Sequence, residues 1–175
     1  MDNPKKIFEH IKQEGYKGIQ EMIRNNQEEN IFLDFKEKSD PNSASISKED
    51  KKNYAKALSG FSNLDGGVII WGVEARKIDE DSPDVAVGEK PISHLKKFLT
   101  DLNSLTSFAV VPLNTGIINI PVYKGETDDE GFIVTYIPES QLTPHRALLG
   151  LNQYYTRCGD SFQTMEWSEP LKPDN

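Results

Sequence analysis

Residues 61–75, "FSNLDGGVIIWGVEA", decide how the chain is to be read. A Gly-Gly pair beside an apolar run invites a phosphate-loop reading. In a phosphate loop or a dinucleotide fold, however, the glycines follow a strand and open a helix whose N-terminal amides face the anion. Here the order is reversed. Upstream, Ser47 with Asp50 three residues on forms a capping-box pattern, and Tyr54, Leu58 and Phe61 fall on one helical stripe. The segment therefore starts as the end of a helix. Asn63 to Gly67 terminates that helix with residues that tolerate left-handed backbone angles, then turns into a strand. "VIIWGV" is uniformly apolar, which predicts a central strand covered on both faces, with Glu74 where it emerges. Neither G-x-x-x-x-G-K-[ST] nor G-x-G-x-x-G occurs, so ATP hydrolysis by a phosphate loop is set aside.

Working outward, Asp2 and Asn3 can cap a helix that has Pro4 in its first turn and Ile7, Phe8 and Ile11 on one face. Gly15 and Gly18 interrupt it, and a second short helix places Ile19, Met22 and Ile23 on one side. Residues 1–28 thus form a helical arm packed against a main domain at 29–170. "NIFLDFK", residues 30–36, reads as a strand in which Ile31, Leu33 and Phe35 oppose Phe32, Asp34 and Lys36. "SDPNSAS" is a loop, and "EARKIDEDSPDVAVGEK" is an acidic, turn-rich connection. Ile92, Leu95, Phe98, Leu99 and Leu102 mark a further helix; strands follow at "SFAVVPL", "IINIPVY", "GFIVTYIP" and "QYYTRC", with "YKGETDDEGF" as the turn of a hairpin. The order predicts an α+β fold with a mixed β-sheet and flanking helices.

A chain of 175 residues fits one domain of ordinary core depth. Its hydrophobic fraction of 36% includes no run that approaches a bilayer span, so no membrane helix is expected. The start lacks a secretory signal pattern and the single cysteine, Cys158, excludes an internal disulfide, which together point to a reducing cytoplasm. The net charge of −8 opposes a protein that binds nucleic acid mainly by neutralising phosphates. A nucleic-acid function then needs a local basic surface or a cation at the site.

Glu29 and Asp34 lie about 17 Å apart if both sit in one extended strand. They converge only if Glu29 belongs to the preceding turn and folds back. Glu74 joins them if its strand pairs with the first, and three carboxylates at a sheet edge make a hard-oxygen site for Mg²⁺ or Mn²⁺. The competing reading makes Glu29 and Lys36 surface charges and Asp34 part of a solvated strand edge. Lys48, Lys51, Lys52 and Lys56 on the third helix, with Lys96 and Lys97 on the next, either track a phosphate backbone or form the wet faces of those helices. Tyr154, Tyr155 and Arg157 contact nucleotides, or Tyr155 packs inward. His145 acts as a general acid or orients a loop by hydrogen bonding. Cys158 reads as a small buried apolar residue.

"ENIFLDFK", "LSGFSNLDGGVIIWGVEA" and "PHRALLGLNQYYTRCGDSFQTM" come in that order and span residues 29–165. They resemble the successive blocks of the Schlafen AlbA-like domain: E-x-x-x-x-E-F-K, a glycine block ending in I-G-V-x-D, then P-h and Y-x-R-x-G. The resemblance implies a nucleic-acid-associated module, formerly described as a divergent ATP-binding domain. Some members are metal-dependent endoribonucleases that act on tRNA or rRNA through three acids. Carried over, those acids are Glu29, Asp34 and Glu74. If the site is catalytic they hold Mg²⁺ or Mn²⁺, and Lys36 then neutralises charge in the transition state. Asp34 stands where glutamate is usual and Glu74 where aspartate is usual. Eukaryotic Schlafens carry a zinc site that one cysteine cannot build, and they pair two lobes, so a single lobe implies a homodimer. Three classes stay open: a metal-dependent ribonuclease, a non-catalytic module for RNA, DNA or a nucleotide, and a protein-interaction module.

Overall fold

The computed structural model describes residues 3–166. The cap expected at Asp2 and the end of the domain beyond residue 166 lie outside the described residues. Helix α1, Pro4–Glu14, is capped by Asn3, whose Oδ1 accepts from Lys6 N at 2.9 Å. Gly15, at φ +61°, ends it, and α2, Tyr16–Arg24, starts at once. Gly18 does not break the helix as the sequence reading expected. It lies buried inside α2, where an added Cβ would come within 3.0 Å of Glu14 Cβ, so it serves close approach rather than termination.

Strand β1 covers only Leu33–Lys36, because the Asn30 side chain accepts from Phe32 N and Asn30 and Leu33 exchange backbone hydrogen bonds, turning the chain before the strand begins. Helix α3, Lys48–Ser62, carries both bonds of the Ser47–Asp50 capping box. Asn63 closes the helix, and β2, Gly67–Trp71, follows with every residue buried. The two glycines have separate causes. Gly66 takes φ +83° with its missing Cβ 2.5 Å from Ile137 O, while a Cβ on Gly67 would lie 2.1 Å from the Phe61 ring. The double glycine is a tight helix-to-strand bend, as its place after a helix predicted.

Beyond Gly72, at φ +105°, the chain leaves the sheet. The acidic "connection" is in fact a hairpin of β3, Val73–Lys77, and β4, Asp84–Glu89, with a bulge between Glu74 and Ala75. Ile92 belongs to the short strand β5, Ile92–Ser93, not to helix α4, Leu95–Ala109. His94, in a left-handed conformation, offers no side-chain cap, and Asp129 replaces it by accepting from Lys96 N at 2.9 Å. The helix runs into the expected "SFAVVPL" strand, leaving β6 as Val110–Val111. The remaining strands are β7, Ile118–Tyr123; β8, Glu130–Ile137; β9, Arg146–Ala147; β10, Gln153–Cys158; and β11, Ser161–Met165.

The main sheet runs β1-β2-β8-β5, with β7 also on β8; β1 and β2 are parallel and the β2–β8, β7–β8 and β5–β8 pairs antiparallel. A second sheet runs β11-β10-β9-β6. Alternation along β2 fixes the layers. Val68 and Ile70 pack with Leu33, Phe35 and the arm residues Ile7, Phe8, Ile11 and Ile19, whereas Ile69 and Trp71 pack with Tyr54, Leu58 and Phe61 of α3 and Phe98 of α4. The arm therefore shares a core with the sheet, and Asp34 faces the α3 side. No helix among the described residues is long and apolar enough to cross a membrane. Gly66→Ala is expected to cost about 1–3 kcal/mol, combining an unfavourable φ with a clash against backbone that cannot yield. A urea titration reads it as a lower midpoint at unchanged slope; an unchanged midpoint would refute this account of the bend.

Candidate functional site

After α2 the chain runs along the edge of β4: Ala86 N donates to Gln27 O, and Glu29 N donates to Asp84 O at 2.8 Å. The turn at residues 30–33 then reverses it into β1. Glu29 is thus folded back, and its Oε1 accepts from Phe35 N at 3.0 Å. This is the condition under which Glu29 and Asp34 can approach each other. Both are buried, at 5% exposure each, so neither is the solvated surface charge of the competing reading.

Arg157 organises the other side of this turn. Its Nε and Nη2 donate to Asn30 O at 3.1 and 3.0 Å, Nη2 also to Leu33 O at 2.7 Å, and Nη1 to Asp34 Oδ1 at 3.2 Å. The guanidinium lies 5.1 Å from the Phe61 ring centroid and 4.6 Å from that of Phe162. Phe162 reaches this position because Gly60 leaves α3 bare; a Cβ there would lie 2.3 Å from the Phe162 ring. Arg157 was expected at a nucleic-acid surface, but it is 2% exposed and its guanidinium makes these four hydrogen bonds inside the fold. The second oxygen of Asp34 lies 3.0 Å from Lys36 Nζ, an ion pair set off the line of a hydrogen bond.

Among the described residues, the carboxylates that each offer an oxygen within 4.8 Å of the others are Glu29, Asp84 and Asp160. Asp34 and Glu74 are not in this group. Glu74 lies on β3, past the break at Gly72 rather than at the end of the buried strand, and its Oε1 is held by Arg76 Nη2 at 2.6 Å. The expected trio of Glu29, Asp34 and Glu74 is therefore not gathered into one ligand set; the hairpin that carries Glu74 brings Asp84 to Glu29 instead. Asp160 arrives from the β10–β11 turn, where its Oδ2 accepts from Asp84 N at 3.1 Å. Glu28, Asn30, Lys77, Asp81 and Gly159 are among the other residues that line the shallow cleft. Burial, reinforced by Asp34 and Asp84, pushes the Glu29 carboxyl from its ordinary 4.5 up to about 8, against the lowering effect of the Phe35 amide and Arg157. Asp84 and Asp160 escaped the sequence reading; the available signal was the apolar alternation in "DVAVGE", which marks a strand rather than a loop.

The remaining candidates are dispersed. Lys48 is exposed on α3, and Lys51, Lys52 and Lys56 are half-buried. Lys56 Nζ sits 5.6 Å from the Tyr155 ring centroid, and the Lys52 stem runs past Gly150. Lys96 is exposed and Lys97 pairs with Asp101 at 2.8 Å. Tyr155 packs inward at 6% exposure, whereas Tyr154 is half-buried. His145 is fully buried: its ring nitrogens meet Pro112 O and Ser140 Oγ, and Asn63 accepts from its backbone N while donating to its carbonyl and to that of Tyr155. It orients a loop. Cys158 is exposed rather than buried, since it ends β10 at the hairpin turn.

The family described as Schlafen, AlbA_2 matches residues 29–166. The chain belongs to that family. No curated protein matches it. Among solved structures, this Schlafen AlbA_2 domain is similar to the DIP2311 protein from Corynebacterium diphtheriae, at 13% identity and a TM-score of 0.48, over 90% of this chain and 26% of that one. It is also similar to the N-terminal domain of a protein from Nitrosomonas europaea named as related to the ATP-dependent DNA helicase RecG, at 18% identity and a TM-score of 0.49, over 99% of this chain and 100% of that one.

The raised Glu29 pKa makes the stability of this Schlafen AlbA_2 domain pH-dependent with a definite sign. Between 4.5 and about 8 the native state keeps a proton that the unfolded chain has released, so stability falls as pH rises through that window and levels off above it. Glu29→Gln removes the titration while keeping the acceptor for Phe35 N. In metal-free buffer the variant should match the wild type near pH 5 and exceed it by a few kcal/mol at pH 9, read from urea midpoints. A difference that stays flat with pH would show that Glu29 titrates normally.

Proposed function

We propose that this Schlafen AlbA_2 domain is nucleic-acid-associated and that its acidic cleft supports divalent-cation-dependent endoribonuclease activity on tRNA or other structured RNA. Glu29 is the observation that carries the reading. A buried carboxyl beside Asp34, Asp84 and Asp160 opposes folding, and such clusters in clefts mark functional sites. The donor set fits Mg²⁺ or Mn²⁺: all three groups are hard oxygens, and their spacing of 4.8 Å or less is near the roughly 3–4 Å between oxygens of an octahedral Mg²⁺ shell. Phe35 N fixes one Glu29 oxygen, Asp84 N fixes one Asp160 oxygen, and the partner oxygen of each is left to bind. Bound there, a divalent cation supplies a water of lowered pKa and positive charge toward the scissile phosphate.

The chain's own cations have distinct places in this scheme. Lys36 keeps 15% of its side chain exposed while Arg157 keeps none, so Lys36 is the one that can turn toward a phosphate. Lys48, Lys51, Lys52 and Lys56 offer a basic strip on an otherwise acidic molecule along which a backbone can lie. A binding module without catalysis is the second reading, favoured by the pairing of Asp34 and Glu74 with basic side chains.

Incubation of tRNA and single-stranded RNA with Mg²⁺, Mn²⁺ or chelator, using wild type, Glu29→Gln, Asp160→Asn and Glu74→Gln, separates these readings. Cleavage should need the cation and fall at least about tenfold in Glu29→Gln and Asp160→Asn, while Glu74→Gln retains it. Loss in Glu74→Gln with retention in Asp160→Asn would assign the ligands to Glu29, Asp34 and Glu74 instead. Salt-sensitive binding without cleavage, weakened by Lys51→Glu and Lys52→Glu, would establish the binding module.

A further inference from the structure

Asp34 stands second among the acids that the family resemblance assigns to a cation, yet cations of the chain itself face both its oxygens: Arg157 Nη1 donates to Oδ1 at 3.2 Å, and Lys36 Nζ lies 3.0 Å from Oδ2 without the alignment of a hydrogen bond. We infer that Arg157 is the positioning residue of the acidic cleft and that Asp34 is its counter-ion rather than a metal ligand. The inference deepens the proposed function and rests on the reading that the cleft around Glu29 takes a divalent cation.

The geometry supports both halves. Arg157 donates to Asn30 O and Leu33 O, the two ends of the turn that joins Glu29 to Asp34. Asn30 directly follows Glu29, so this clamp fixes the point at which Glu29 enters the cleft. The planar guanidinium sits between Phe61 and Phe162, which restricts its rotation, and its forked donors reach three acceptors at once; a lysine ammonium reproduces neither feature. A divalent cation on Asp34 would have to take Oδ2 in place of Lys36, and by drawing off the carboxylate's charge it would weaken the hold of Oδ1 on a guanidinium with 0% exposure. Asp84 and Asp160 carry no such obligation. Both are half-buried, and neither forms an ion pair among the described residues. The ligands nearest to Glu29 that are free to move onto a cation are therefore those two.

Two measurements on the full chain test this: Mn²⁺ affinity by electron paramagnetic resonance, and the Phe35 amide resonance, which reports whether the Glu29 carboxyl is still seated on that N–H. Arg157→Lys, Arg157→Met, Asp34→Asn and the double variant Asp34→Asn/Arg157→Met are compared with Asp160→Asn, with circular dichroism to establish that each is folded. Asp34→Asn should keep Mn²⁺ affinity within about threefold, since an amide oxygen still accepts from Arg157. Arg157→Lys should weaken it about tenfold or more, as expected when the support of a ligand is lost, and should shift the Phe35 amide toward its position in Glu29→Ala, which has no side-chain acceptor for that N–H. If Arg157→Met does not fold, Arg157→Lys and the double variant, which removes both members of the pair, give the same readouts. Mn²⁺ affinity lost as fully in Asp34→Asn as in Asp160→Asn would make Asp34 a ligand and overturn the inference. An unmoved Phe35 amide in the arginine variants would reduce Arg157 to packing. If the wild type binds no Mn²⁺, the cation reading and the ligand assignment fail together, and the Phe35 amide alone decides whether Arg157 positions Glu29.

Discussion

The guanidinium of Arg157, buried between Phe61 and Phe162 and bonded to Asn30 O, Leu33 O and Asp34, is the constraint around which the rest of the structure is arranged. It joins three parts of the chain that are remote in sequence: the turn before β1, the C-terminal half of α3, and the β10–β11 hairpin. A guanidinium tolerates such burial only when nearly all its donors are satisfied and its charge is met. Those requirements explain several neighbours at once. Gly60 is bare so that Phe162 can lie across α3, Asp34 faces the α3 side of the sheet, and the turn at residues 30–33 presents two carbonyls in one direction. They also explain why β1 is four residues long, since the preceding backbone is committed to the arginine and to the Asn30 turn.

The electrostatics around this clamp are uneven. On one side Asp34 is matched by Arg157 and Lys36. On the other, less than a turn of chain away, Glu29 meets Asp84 and Asp160 with only the Phe35 amide and the more distant Arg157 to offset them. The fold thus meets the charge of one carboxylate and leaves its neighbour with that charge uncompensated. That contrast, more than the number of acidic residues, is what distinguishes the cleft from the acidic surface of a chain carrying −8. On α3, Lys56 lies over the Tyr155 ring and the Lys52 stem runs past Gly150.

Local signals carried much of the fold. The capping box at Ser47 and Asp50, the stripe of Tyr54, Leu58 and Phe61, and the apolar run after Gly67 fixed a helix, a bend and a central strand in the right order, because capping and periodicity act over a few residues. The same logic failed where the sequence between turns is short or charged. The β3–β4 hairpin was hidden by the acidic turn at its tip, and Ile92 fits a helical stripe although the chain turns at His94, where Asp129 from another element supplies the cap.

For the site, the sequence determined that Glu29 must belong to the turn before the first strand if it is to approach Asp34, that the family is Schlafen AlbA_2, and that the double glycine bends a helix into a strand. Which carboxylates meet was decided by tertiary structure alone. The bulge in β3 and the pairing of Glu74 with Arg76 direct that acid elsewhere, while Asp84 and Asp160 reach Glu29 through strand pairing across 55 and more residues of chain. Burial makes the difference, for the same reason that it raises the Glu29 pKa: a carboxylate's charge is tolerated according to what surrounds it in space, and that neighbourhood is written in no short stretch of sequence.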